Sequence, residues 1–150
     1  MAGSERKILV AVDGSEQAMH AFDWYCENIY KPGDYCMALN VTELSLRGGS
    51  GILSDPDAIV EDLKQTKQAG DKIMFNFAQK IREKGIKGTA DTVSSGNSSP
   101  GEKIVKTAES NKVNMIVMGT RGLGKIRRTF LGSVSDYVLH HAHCPVIIIK

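Results

Sequence analysis

Short runs rich in β-branched residues alternate with helical periods along this whole chain, and that alternation restricts its fold more than any other feature. KILVAVD (7–13) is apolar on both parities, the form of a parallel strand buried on two faces. Residues 16–30 place Ala18, Phe22, Tyr25, Cys26 and Ile29 on one helical face and stop at Lys31-Pro32-Gly33-Asp34. YCMALNV (35–41) reads as a second strand, followed by a glycine-rich segment without period at 42–54, read as a mobile loop.

Asp55-Pro56 then opens a helix, a capping side chain followed by proline at the first helical position. Its stripe runs Ile59, Leu63, Gly70, Ile73, Met74, Phe77, Ile81 and stops at Lys84-Gly85. GTADTVSSG (88–96) is a more polar strand, expected at a sheet edge. Ser99-Pro100 starts a helix reaching Asn111, with Ile104, Val105 and Ala108 inward. NMIVMG (114–119) is the fourth strand, Gly132-Ser133 begins a last helix reaching His143, and CPVIIIK (144–150) is the fifth strand. The expected fold is α/β: an open, doubly wound, five-stranded parallel sheet of order 3-2-1-4-5, with helices on both faces. One domain, 1–150, accounts for the pattern; there is no internal repeat or low-complexity tract.

A net charge of +2 is too balanced to argue for nucleic acid or an anionic membrane. No apolar run approaches the roughly 18 residues of a membrane helix, and MAGSERK at the N-terminus is no secretory signal. Cys26, Cys36 and Cys144 are odd in number and lack CxxC spacing, so they read as reduced, mostly packed thiols of a cytoplasmic protein.

The segment GTRGLGKIRRTFLGS (119–133) is where chemistry concentrates. Gly119-x4-Gly124-Lys125 opens like a P-loop, but Ile126 stands where that loop needs a magnesium-binding hydroxyl. Gly122-x-Gly124 opens like a dinucleotide fingerprint, but Arg127 stands at its third glycine. In open α/β sheets the ligand lies outside the carboxyl ends of the strands, where strand order reverses. Here that point lies between strands 1 and 4, which run into Asp13-Gly14-Ser15 and Gly119-Thr120-Arg121-Gly122. Gly119 and Gly122 would let the backbone approach a ligand, and Gly132-Ser133 would offer phosphate a helix N-terminus. The whole is a G-x2-G-x9-G-S loop.

That spacing, with VAVDGSE, VMGTRG and the terminal CPVIIIK, resembles the universal stress protein family over essentially the whole chain. The glycine signature matches its nucleotide-binding branch at every position. The resemblance implies an adenine-nucleotide-binding stress-response protein that holds ATP or AMP, with Mg2+ carried through the phosphates. The implied site comprises Val12, Asp13, Val41, Met118, Gly119, Arg121, Gly122, Gly132, Ser133, Val134 and Ser135. Of these, Asp13 would meet the ribose, Val41 the adenine, Gly119 and Gly122 the ribose and phosphates, and residues 132–135 the phosphates. It also implies a homodimer through 144–150, an apolar edge strand that carries one charge, Lys150.

Plainer readings stand beside each signal. Asp13 to Glu16 and Ser133 to Asp136 both fit capping boxes. Arg121, Lys125, Arg127 and Arg128 fit a solvated turn as well as a nucleotide-facing one, and Phe130 alone is near as a stacking aromatic for nucleic acid. His140, His143 and Cys144 could share a helix face around zinc, or simply end a helix. Trp24 and the methionines read as core. No serine has a histidine at an inferable partner position, so a hydrolase is unsupported beyond slow ATP turnover. Three readings stay open: a nucleotide-responsive regulator, a slow ATPase, and an interaction module without ligand.

Overall fold

The computed structural model describes residues 5–43, 56–120 and 132–150. Five strands and four helices alternate: β1 (Lys7–Ala11), α1 (Glu16–Asn28), β2 (Tyr35–Thr42), α2 (Pro56–Glu83), β3 (Lys87–Ser94), α3 (Pro100–Ser110), β4 (Met115–Gly119), α4 (Ser133–His141) and β5 (Val146–Ile149). All strand pairs are parallel and the order is β3-β2-β1-β4-β5, the order expected from outward winding.

Strand parity divides the core. Ile8 and Val10 of β1 face α1 and α2 and join Phe22, Tyr25, Met74 and Phe77. Leu9 faces the other way and joins Ile104, Val105 and Ala108 of α3 with Val138 of α4. The Phe22 and Phe77 rings meet edge to face at 5.3 Å. Burying side chains of this size contributes about 1.5–3 kcal/mol each.

Several boundaries differ from the sequence reading. β1 ends at Ala11 rather than residue 13, because Asp13 already belongs to the turn that starts α1. α4 ends at His141, and β5 starts at Val146, two residues after Cys144. Leu63, expected inward, is exposed, and the first buried residue of α2 is Gly70. At 28 residues α2 is about 42 Å long, whereas the eight-residue strands it covers span about 26 Å, so about 16 Å of the helix exceeds their length. Trp24, read as core, is 37% exposed on α1. Asp55, the expected cap of α2, lies outside the described residues.

Among the described residues no helix is long and apolar enough to cross a membrane. Cys36 is buried while Cys26 and Cys144 are half-buried, and burial pushes Cys36 up to about 12 and Cys26 to about 11, which keeps both in the thiol form.

Candidate functional site

β1 stops before both of its neighbours on the carboxyl side of the sheet. Ala11, its last residue, pairs Leu39 and Met118, yet β2 continues to Thr42 and β4 to Gly119. The result is a notch at the reversal of strand order. Ala11, Val12 and Asp13 form its floor, Leu39 to Val41 one side and Met118 to Thr120 the other. Pro100 and Ile104 of α3, with Gly132, Val134 and Ser135 at the start of α4, close it on the α3–α4 face.

The last rung between β1 and β2 is the Val12 N–H donating to the Leu39 carbonyl at 2.9 Å. On the other side, the Ser95 N–H donates to the Thr42 carbonyl. Backbone groups of a parallel strand alternate in direction, so the N–H and C=O of Val41 point toward β1, past its last rung and into the notch.

Asp13 does not stand apart as a bare carboxylate. Its Oδ1 accepts the Ser15 N–H at 2.8 Å and the Ser15 hydroxyl, while Ser15 Oγ accepts the Ala18 N–H at 3.1 Å. Ser15, not Asp13, is thus the cap of α1, and Asp13 pins that cap at the floor of the notch.

Gly119 has a packing role that the sequence does not announce. A Cβ on Gly119 would point at α1, 3.0 Å from the Gln17 carbonyl oxygen and 3.3 Å from Ala21 Cβ. Its small size therefore serves close strand–helix packing. Gly132 has φ −61° and ψ 158°, open to any residue, so it is not there for a left-handed backbone.

What Gly132 does is leave α4 without a side-chain cap, while α1 and α3 are capped by Ser15 and Ser99. The capping box expected from Ser133 to Asp136 does not form. The Asp136 carboxylate lies 3.5 Å from the His140 ring, and the Asp136 N–H donates to the Gly132 carbonyl. Ser135 is buried and donates its hydroxyl to the same carbonyl at 3.1 Å. The first turn of α4 thus turns its N–H groups and positive dipole end outward beside the notch.

Val12, Asp13, Val41, Met118, Gly119, Gly132, Val134 and Ser135 come together around this notch. Ser133 is exposed and is not among the walls. Arg121 and Gly122, with Lys125, Arg127, Arg128 and Phe130, lie outside the described residues. Sequence reasoning missed Pro100, Ile104 and Thr120 as walls. The signal for α3 was present, since a helix that follows a strand's carboxyl end starts at the ligand edge. Among the described residues no group of three or more His, Cys, Asp or Glu side chains is placed to hold a metal ion. His141 instead stacks on Tyr137 at 3.9 Å.

An open parallel sheet, helices on both faces and a crevice at its topological switch point define a doubly wound α/β domain. Within that class the chain belongs to the universal stress protein family, which it matches over residues 5–150. Universal stress protein YxiE of Bacillus subtilis is 30% identical over 148 residues, 96% of this chain and 98% of that one. The structure of universal stress protein UspA from Lactobacillus plantarum superposes with a TM-score of 0.79 at 23% identity, covering 99% of this chain and all of that one. A universal stress protein family protein from Arabidopsis thaliana with AMP bound superposes with a TM-score of 0.70 at 25% identity, covering 97% of this chain and 91% of that one.

Proposed function

We propose that this protein binds an adenine nucleotide, ATP or AMP, in the notch between β1 and β4, and that occupancy regulates its conformation or partner binding. The observation that carries the reading is the pairing of two features across one crevice. On one side the Val41 N–H and C=O project past the end of β1; on the other α4 begins without a side-chain cap. A donor next to an acceptor matches the N1 and N6 edge of adenine, and an uncapped helix start matches phosphate. Apolar walls from Leu39, Ile104 and Met118 would sandwich the base. The AMP-bound relative from Arabidopsis supports the same ligand class. Mg2+ would enter with the phosphates rather than in a site built by the chain. Arg121 and Gly122 belong to this proposal through the glycine signature alone.

Guanine presents the reverse order, an acceptor O6 and an N1–H donor, and would leave the Val41 groups facing like partners. Calorimetric titration should therefore show one ATP per chain and at least tenfold weaker GTP binding. Gly132→Val, which keeps an allowed backbone but adds bulk where phosphate approaches, should weaken ATP at least tenfold without unfolding the protein. Equal affinity for both nucleotides, or no heat at millimolar ATP, would refute the reading.

We also propose a homodimer through β5. It is a sheet edge, with Val146, Ile147 and Ile148 only half-buried. Trp24 and Leu139 lie exposed on α1 and α4, the helices that pack on β4 and β5 from opposite faces. A two-fold copy would pair the edge strands and cover these side chains.

A further inference from the structure

α4 touches two places at once, the notch at its start and the β5 edge along its side. Gly132, Val134 and Ser135 wall the notch. Further along, Tyr137 packs on α3, where a Cβ on Gly101 would stand 3.0 Å from Tyr137 Cβ. Val138 is fully buried and joins Leu9 and Ile116 of the sheet, with Val146 and Ile148 of β5 packed against the same cluster. Leu139 follows about 100° round the helix, which puts it on the side of α4 away from α3. Because α3 packs on β2 and α4 on β5, that side is the open edge of the sheet, and Leu139 is exposed there.

α4 is also lightly held. It is the shortest of the four described helices, and Val138 is its one buried apolar side chain. Nine residues fall short of the roughly 12–15 at which an isolated helix becomes even marginal in water. Its start carries no side-chain cap; the Asp136 N–H and the Ser135 hydroxyl tie the first turn to the Gly132 carbonyl. The N–H groups before Asp136 have no partner within the helix, so this turn is the part of α4 most prone to fray. Thr120 makes a second link between the two places. It walls the notch, and its N–H donates to the Ile149 carbonyl of β5 at 3.0 Å.

We infer that nucleotide occupancy and dimerisation through β5 are coupled, with the nucleotide's phosphates acting as the missing cap of α4. A cap favours its helix about fivefold. Phosphate at the notch holds the first turn helical, and the ordered helix keeps Val138 over Val146 and Ile148 and Leu139 at the edge. A second copy meets that surface when the β5 strands pair. Linkage makes the effect reciprocal, so dimer formation tightens nucleotide binding by the same factor. Coupling of this kind rests on both proposals above, nucleotide in the notch and a dimer through β5. It adds the identity of the partner that occupancy controls, a second copy of this chain.

The test pairs sedimentation equilibrium with calorimetry on the same samples of the full chain. Saturating ATP should lower the dimer dissociation constant about fivefold. Adenosine, which has the base and ribose but no phosphate, should leave it unchanged. Gly132→Asp supplies a side-chain cap at a backbone position, φ −61° and ψ 158°, that any residue can adopt. It should tighten the nucleotide-free dimer about fivefold and weaken ATP at least tenfold, because its carboxylate takes the phosphate's place. Leu139→Ser should weaken the dimer with and without ATP. ATP heat with an unchanged dimer constant would overturn the coupling and leave nucleotide binding standing. No ATP heat would overturn both, and a monomer with and without ATP would overturn the coupling together with the dimer. Equal tightening by adenosine, a Gly132→Asp dimer no tighter than wild type, or a Leu139→Ser dimer no weaker would each overturn it as well.

Discussion

At Gly119 one added methyl group would meet the Gln17 carbonyl oxygen at 3.0 Å and the Ala21 methyl at 3.3 Å. Backbone oxygen on a helix does not move aside cheaply, so Gly119→Ala should cost about 1–3 kcal/mol, read as a lower urea midpoint. It should disturb the notch as well, because α1 carries the Ser15 cap that Asp13 holds. A second residue-scale test lies at the opposite end of the sheet. Asp34 is 5% exposed and accepts hydrogen bonds from the Arg6 guanidinium and the Lys31 N–H. Burial alone would raise its carboxyl, but the Arg6 and Lys31 bonds outweigh burial and hold it below its usual value. A carboxylate depressed in the folded state adds stability that is fully present above its unfolded value near ~3.9 and is lost as pH falls through the folded one. Acid titration of unfolding should show that loss below about pH 4, and Asp34→Asn should flatten it while lowering stability at neutral pH. Little of this was legible beforehand. The sequence marks Gly119 as special but not what it must avoid, since the Gln17 carbonyl arrives through tertiary packing. Asp34 read only as part of a helix stop.

The elements were legible because each carries a local signal that survives packing. KILVAVD and CPVIIIK are apolar on both parities, as strands covered on two faces must be, and Ser99-Pro100 opens α3 with the capping box its spacing allows. The misses occur where a local pattern outruns its partner. The α2 stripe continues through Leu63, but burial starts only at Gly70, and periodicity does not report the length of the surface it will meet. The β5 edge poses the complementary question, an apolar strand with one side unpaired. Replacing Val146 and Ile148 together by lysine should convert a dimer to monomer in analytical ultracentrifugation while the thermal transition stays cooperative. A wild-type chain that sediments as a monomer at tens of micromolar would rule out the β5 dimer.

In the whole molecule the site arises from topology rather than from any one motif. Winding outward from β1 to β3 and then crossing to β4 leaves β1 between two neighbours that both run past its carboxyl end, and the notch follows. Its location followed from the sequence once the chain was taken to wind outward from strand 1 to strand 3 and then cross to strand 4, because that order fixes the reversal. Its walls could not all be read, because Pro100 and Ile104 enter from a helix that follows a distant edge strand. The backbone state of Gly132 was out of reach for a similar reason. The sequence shows a glycine at a helix start, whereas only the backbone shows that the glycine leaves the helix uncapped without adopting positive φ. The central claim is that adenine nucleotide occupies this notch, with its base at Val41 and its phosphates at the start of α4. The most direct measurement is backbone amide NMR of the isotope-labelled protein during an ATP titration. The account predicts saturating shifts at Val12, Asp13, Val41, Gly119 and residues 132–135, with His140 and β3 unmoved. Saturating shifts centred elsewhere, or none at millimolar ATP, would contradict it.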